Sequence, residues 1–397
     1  MKIKDSINPK ELEKLPLSSL IALAVASFVG VVTETMPSGL LLEIGRNLSI
    51  SESLAGQLVT FYALGSLVAA IPVMTATRSW NRRKLLLTCI SGFFIFNTIT
   101  AVSSWFLLTI IARFFVGVSA GVLWGLSAGY ARRMVVERLK GKAIAIAMMG
   151  TPIGLALGVP AGTLLGTLVG WRFVFILMSL IAFILIFWIM KQLPDFSGEK
   201  GTKKSLKQVL LLPGIRSNLF IVLTWVLAHN ILYIYISPYL ASNNFQNMIG
   251  FVLLIFGVAS VIGIWIVGVL IQRWLRMLIT VSLVGFSVAA IFIGIGSQSL
   301  LFVFIGVAIW GLTMGGAATL LQTDLSELAG NSTDIAQAML VTVWNIAISG
   351  GGIVGGIVIE SLSVNSLPWS TLIVIAIGIA TVIIRNSSKV AVNTNQI

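Results

Sequence analysis

Thr33-Glu34-Thr35-Met36-Pro37-Ser38-Gly39-Leu40-Leu41 lies in the outer half of the first long apolar run, which opens near Leu17. Between Lys14 and Glu43 the only ionisable side chain is Glu34. An acid inside a hydrocarbon-length helix is costly, so it marks either a working site or a helix end. Pro37, three residues on, removes a backbone donor and loosens the helix at that point. Two readings follow: an acid facing a polar interior, or a glutamate snorkelling to the outer surface. The surrounding chain must discriminate between them.

Working outward, composition excludes a soluble protein. Hydrophobic residues make up 57% and charged residues 10%, with a mean hydropathy of +1.02. The apolar runs are each about 18 to 25 residues long, the length that crosses a bilayer as helix. A membrane barrel would need alternating strands, which the sequence does not show. The net charge of +13 would suit nucleic acid, but it sits in short loops between apolar runs, so no nucleic-acid partner is expected. Cys89 is the sole cysteine, which excludes an internal disulfide. No Cys/His spacing suggests a metal, and no cofactor is expected. The lysine-bearing start resembles a signal peptide, but without a convincing small-residue cleavage site it reads as an uncleaved first helix.

Twelve spans are expected: Leu17–Met36, Ala55–Met74, Leu85–Val102, Trp105–Tyr130, Ala143–Val169, Phe173–Met190, Asn218–Leu240, Met248–Leu270, Met277–Ile295, Leu300–Leu321, Ala336–Ile359 and Leu367–Ile384. The distribution of Lys and Arg then orients them. With both termini cytoplasmic, Lys2, Lys4, Lys10, Lys14, Arg78, Arg82, Arg83, Lys84, Arg132, Arg133, Arg138, Lys140, Lys142, Lys191, Lys200, Lys203, Lys204, Lys207, Arg216, Arg273, Arg276, Arg385 and Lys389 all fall inside, and only Arg46 and Arg172 fall outside. The longest hydrophilic interruption, Lys191–Arg216, carries Pro194, Gly198, Gly201 and five lysines and reads as a flexible cytoplasmic linker. Within it, Lys203–Leu212 could form a short interfacial helix. The expected organisation is therefore a six-helix bundle over residues 1–190, the linker over 191–216, and a second six-helix bundle over 217–397.

The two halves echo each other. Gly117-Val118-Ser119-Ala120-Gly121 in span four is matched by Gly311-Leu312-Thr313-Met314-Gly315 in span ten, and Met36-Pro37-Ser38-Gly39-Leu40 by Ile236-Ser237-Pro238-Tyr239-Leu240. Internal symmetry of this kind is a mark of transporters built from repeats, with a site at the repeat interface. The match of Gly117–Gly121 to a hydrolase nucleophile elbow is a coincidence of glycine packing, since that motif needs a strand-to-helix turn and a partnered histidine. Span five carries Gly150, Gly154, Gly158, Gly162, Gly166 and Gly170, one every four residues, a flat stripe for close backbone approach. It predicts either tight packing or a sliding interface between the halves. Leu185 in span six is expected to face lipid.

Arg113 is the one Lys or Arg inside an expected span, and its counterpart in span ten is Val307. A buried guanidinium needs a partner, for which Glu34 is a candidate; otherwise the arginine reaches water at the outer surface. His229, Asn230 and Tyr233 lie near one face of span seven. A lone histidine is more often structural, but the neighbouring Asn and Tyr suggest a polar cavity wall. Tyr62, Asn97, Trp124, Trp310 and Asn345 are further polar or amphipathic groups within spans, and with Asn230 and Tyr233 they form the candidate substrate-binding set.

Taken in order, these residues resemble the major facilitator superfamily over nearly the whole chain. More narrowly, they resemble its drug:proton antiporter-1 branch, especially the bacterial sugar efflux and purine ribonucleoside efflux subgroup. The resemblance rests on Thr33-Glu34 with Pro37 and Gly39-Leu40-Leu41, Ala55-Gly56-Gln57, Tyr62-Ala63-Leu64-Gly65 and Arg113 with Gly117 and Gly121. It continues through Gly154, Gly158, Pro160 and Gly162, Gly170-Trp171-Arg172-Phe173, and His229 with Tyr233, Tyr235 and Pro238. One element departs: the family's loop between spans two and three usually carries an acid before its basic pair, and here no Asp or Glu occurs between Glu52 and Glu137.

The resemblance implies an all-α membrane protein of two pseudo-symmetric six-helix bundles in the cytoplasmic membrane, working by alternating access and expected to act as a monomer. It also implies proton-coupled efflux of a small polar organic solute, sugar or nucleoside-like, with Glu34, Arg113 and His229 coupling the proton. The alternative within the same fold is multidrug efflux of lipophilic compounds; a uniporter or importer is a further one. An enzyme is not expected, because no catalytic constellation emerges.

Overall fold

Hydrocarbon offers no water to backbone N–H and C=O groups, so a chain this apolar must satisfy them within each segment, as a helix does. The computed structural model describes residues 15–77, 79–198, 206–296 and 299–394. Expectations for Lys2, Lys4, Lys10, Lys14, Arg78, Lys200, Lys203 and Lys204 lie outside the described residues. Among these residues there is no strand.

Eleven helical elements organise the chain: α1 Leu17–Gly39, α2 Glu52–Val68, α3 Arg82–Val102, α4 Phe106–Arg133, α5 Glu137–Val169, α6 Trp171–Gln192, α7 Ile215–Ile234, α8 Gln246–Ile295, α9 Leu300–Ala329, α10 Thr333–Ser361 and α11 Leu367–Thr394. Every expected span falls on one of them or its immediate continuation. Ten stretches of the described chain are long and apolar enough to cross a membrane. The difference from twelve has two physical causes. The second expected span is interrupted, because α2 gives way at Ala69 to a π-helical turn through Val73 that contains Pro72. The eighth and ninth expected spans run on as one helix, bent at Trp274 (φ −129°, ψ 20°). Where a basic loop was expected around Arg273 and Arg276, the backbone stays helical on either side of that bend.

The chain divides into two compact units, the first spanning Met1–Ile50 and Phe61–Thr202 and the second Ser51–Thr60 and Lys203–Ile397, counting in each only described residues. In both, the helix exteriors carry large apolar side chains, such as Leu168, Phe183 and Phe187 in the first and Trp265, Val269 and Ile373 in the second. Such surfaces suit lipid rather than water. Leu185 is a correction: it is buried, on the face of α6 shared by Val174, Met178, Ala182 and Ile189. Leu180 and Ile184, on another face, are the exposed ones.

The glycine stripe of α5 packs inside the first unit. A Cβ at Gly150 would meet the backbone of Ala24 and Phe28, and side chains at Gly154, Gly158, Gly162 and Gly166 would meet Val31, Phe28, Met36 and Leu40. All of these lie on α1 or just beyond its end, so the stripe is the seat of the first helix. Gly170 leaves the row: it ends α5 in a left-handed conformation, φ 104°.

The linker reading also needs correcting for its first part. Leu193–Gly198 is bound to the first unit rather than free. Phe196 O accepts from Arg82 N at 2.8 Å, Ser197 O from Arg133 Nη1 at 3.0 Å, and Pro194 O from the Tyr130 hydroxyl. Further on, the helical part of Lys203–Leu212 within the described residues is Leu206–Leu210, with Lys207 exposed and Val209 buried.

Candidate functional site

In the first unit, polar groups collect around the C-terminal part of α1. Arg113 on α4 is wholly buried. Its guanidinium carbon lies 4.8 Å from the centre of the Tyr62 ring on α2 and 5.7 Å from that of Phe175 on α6. A desolvated cation over a ring is stabilised by about 2 kcal/mol. Tyr62 is fixed in turn, its hydroxyl donating to Gly30 O on α1 at 3.0 Å.

Glu34, one turn beyond Gly30, is partly buried. It lies close enough to Arg113 for the two charges to act on each other. Beside it, Thr33 accepts from Asn97 Nδ2 on α3 at 3.2 Å, both side chains buried. Trp124 on α4 packs next to Gly30, where a Cβ would press on its ring. Five of the expected residues of this half, Glu34, Tyr62, Asn97, Arg113 and Trp124, thus lie around α1 between Gly30 and Glu34.

The local cause is the chain itself. Tyr62 can approach α4 because Gly117 presents no side chain to its backbone. Pro37 leaves α1 without one backbone donor, and the helix ends at Gly39, with Leu40 N donating to Pro37 O at 3.0 Å.

In the second unit the expected residues form an aromatic cluster. Trp310 Nε1 on α9 donates to His229 Nδ1 on α7 at 3.1 Å. With Nδ1 accepting, the neutral imidazole carries its proton on Nε2. The His229 ring stacks on Tyr233 at 5.0 Å and on Phe256 of α8 at 5.8 Å. Trp310 lies parallel to Phe286 with centroids 6.0 Å apart. Tyr233, Phe256, Trp310 and Phe286 are buried, whereas His229 keeps partial exposure.

Asn230 and Asn345 direct their amide donors to their own helices, at Val226 O (2.8 Å) and Val341 O (2.9 Å). Asn230 is also covered by Gly351 of α10. The structure therefore joins His229, Tyr233 and Trp310 but not the two asparagines. The serine of the supposed nucleophile elbow, Ser119, donates to Phe115 O one turn back, as a packed helical serine does.

Sequence reasoning missed one constellation. Asp324 on α9, Arg385 on α11 and Asn218 on α7 meet in the interior of the second unit. Arg385, which the sequence assigns to the cytoplasmic loop cations, is buried and ion-paired, so Arg113 is not the only arginine held within a span. Among the described residues, no group of His, Cys, Asp and Glu is arranged to hold a metal.

Comparison with known proteins gives the wider context. Residues 23–351 match the family model of the Major Facilitator Superfamily. Two solved structures share the fold, both of a bacterial homologue of the human lysosomal transporter Spinster. Its inward-facing, unoccupied form is 14% identical, with a TM-score of 0.69 over 94% of this chain and 97% of that one. Its inward-facing, occupied form is 15% identical, with a TM-score of 0.70 over 93% of this chain and 96% of that one.

Proposed function

We propose that this chain, which belongs to the major facilitator superfamily and is a multi-pass membrane transporter, expels a small polar organic solute in exchange for protons by alternating access. The observation that carries the proposal is the partly buried Glu34 set near Arg113, a cation wholly removed from water. A carboxylate in such a place has two economical forms: protonated and neutral, or charged and near its cation. Exchange between those forms is what proton coupling requires. Arg113, held over Tyr62, supplies the fixed charge.

A second reading keeps the transport and changes the solute. The polar wall expected in the second unit is largely aromatic, and Asn230 and Asn345 each turn their amide nitrogen back to a carbonyl of their own helix. That favours a flat or lipophilic compound over a plain sugar, because aromatic walls bind through apolar area. A nucleoside meets both descriptions.

The test is uptake into inverted vesicles with an imposed pH difference, using labelled hexoses, purine nucleosides and a lipophilic cation. Wild-type protein should accumulate one of them only when the gradient is present. Glu34→Gln keeps size and polarity but cannot change charge, so accumulation should fall to the level of empty vesicles while solute exchange persists. Gradient-driven accumulation by Glu34→Gln would move the coupling site elsewhere, with His229 the next candidate.

A further inference from the structure

The constellation in the second unit bears on how its helices are held. Arg385 Nη1 donates to Asp324 Oδ2 at 2.6 Å, and Asn218 Nδ2 donates to the same oxygen at 2.7 Å. Asn218 Nδ2 also lies 3.3 Å from Leu321 O. The exposures are 3% for Asp324, 7% for Arg385 and 0% for Asn218. The carboxylate is therefore oriented by α11 and holds the start of α7 against α9.

Eleven residues further along α7 comes His229. Eleven residues make just over three full turns, so His229 shares the face of Asn218, about 16 Å away at ~1.5 Å per residue. Its partner Trp310 is on α9, the helix that carries Asp324. The same two helices are thus joined by side-chain hydrogen bonds at two levels. A slip of α7 by one residue would turn His229 through about 100° and carry it off Trp310. A buried ion pair is not needed for stability alone, since apolar side chains would pack as well. It does admit far fewer geometries than an apolar contact.

We infer that Asp324, oriented by Arg385, is a positioning residue that fixes the register of α7 through Asn218 and so presents His229 to Trp310. This rests on the proposed transport only in giving His229 its importance; the register itself is independent of it.

His229 is the only histidine in the chain, so ¹⁵N-histidine labelling of the intact protein in nanodiscs yields one imidazole to follow. Trp310→Phe deletes the donor to Nδ1 and marks the signal of the unbonded ring. Asn218→Ala breaks the distant bond and leaves the Asp324–Arg385 pair intact. The Nδ1 signal of Asn218→Ala should move toward that of Trp310→Phe. A signal coincident with wild type would overturn the inference.

If Asn218→Ala does not fold, Asp324→Val combined with Arg385→Met tests the same point, with both charges and the acceptor for Asn218 removed and most of the volume kept. It should split or shift the His229 signal, and an unchanged signal would again overturn the proposal. No transport is measured, so failure of Glu34 as the proton carrier leaves this result readable.

Discussion

In the first unit Gly117 and Gly121 of α4 lie against the backbone of α2 at Tyr62 and Ser66. In the second, Gly311 and Gly315 of α9 lie against the backbone of α8 at Phe256 and Ser260. Superposing these contacts pairs Arg113 with Val307, Tyr62 with Phe256 and Tyr130 with Asp324. The close helix pairs are thus built alike, while the charge is distributed differently. The first unit buries its cation seven residues from the start of α4 and closes the far end with a phenol, Tyr130, donating to Pro194 O. The second puts an apolar valine and an aromatic cluster at the first of these places and an ion pair at the second. Small residues that let backbones touch fix the shared architecture. The polar side chains are free to differ, and it is there that the two units diverge.

The largest expected effect tests the charged end of that comparison. Asp324→Asn leaves Arg385 buried without its anion, which should cost about 3–5 kcal/mol. Thermal melting of purified protein should show a marked loss, or folded protein should fail to accumulate. Asp324→Asn with Arg385→Gln should recover most of it. At the matching place in the first unit, Tyr130→Phe removes one hydrogen bond and should cost about 1 kcal/mol. Equal losses for the two single variants would mean that the ends of the units are held alike.

A smaller effect is expected from the helix contacts themselves. Gly150→Ala drives a methyl into the backbone of α1 at Ala24, a contact that no rotamer change relieves. Overpacking of this kind costs about 1–3 kcal/mol. Gly129 on α4 has nothing within reach of a Cβ, so Gly129→Ala should be neutral or stabilising by about 0.5–1 kcal/mol through helix propensity. Melting curves of the two variants check both signs. A Gly150→Ala protein as stable as wild type would remove close approach as the reason for the stripe.

The helices were legible because a span must be apolar for its whole length, a condition that a single sequence displays openly. Arg113 and Glu34 stood out for the same reason, as charges within apolar runs. Asp324 and Arg385 did not. Each lies just beyond the apolar run of its span, where a charge ordinarily meets water. Only the three-dimensional meeting of α7, α9 and α11 shows that these two are buried together.

The glycines of α5 announced a close contact but not its partner, since a flat stripe fits any helix. Leu185 misled because α6 is apolar all round, which leaves the buried face without a marker. The polar residues within spans were legible as polar, yet their chemistry depends on where each donor points. Asn230 and Asn345 turn back on their own helices, and no sequence pattern distinguishes that from an amide facing a solute.

The smallest effect separates two contributions of one residue, Tyr62, whose counterpart in the second unit is Phe256. Its hydroxyl donates to Gly30 O, and its ring lies under the Arg113 guanidinium. Tyr62→Phe keeps the ring and loses the hydrogen bond, so stability should fall by about 1 kcal/mol. Gradient-driven transport should survive, because Arg113 keeps its place beside Glu34. Tyr62→Leu removes the ring as well, so the buried cation loses an attraction of about 2 kcal/mol, and accumulation should drop with stability. In the second unit Phe256→Leu strips a ring from the His229 and Trp310 cluster but leaves no cation uncovered. It should therefore cost less than Tyr62→Leu, although the ring removed is similar in size. Paired melting and vesicle-uptake measurements decide the point. If Tyr62→Phe and Tyr62→Leu behave alike in both, the ring does not hold the guanidinium, and the contrast between the units reduces to one hydroxyl.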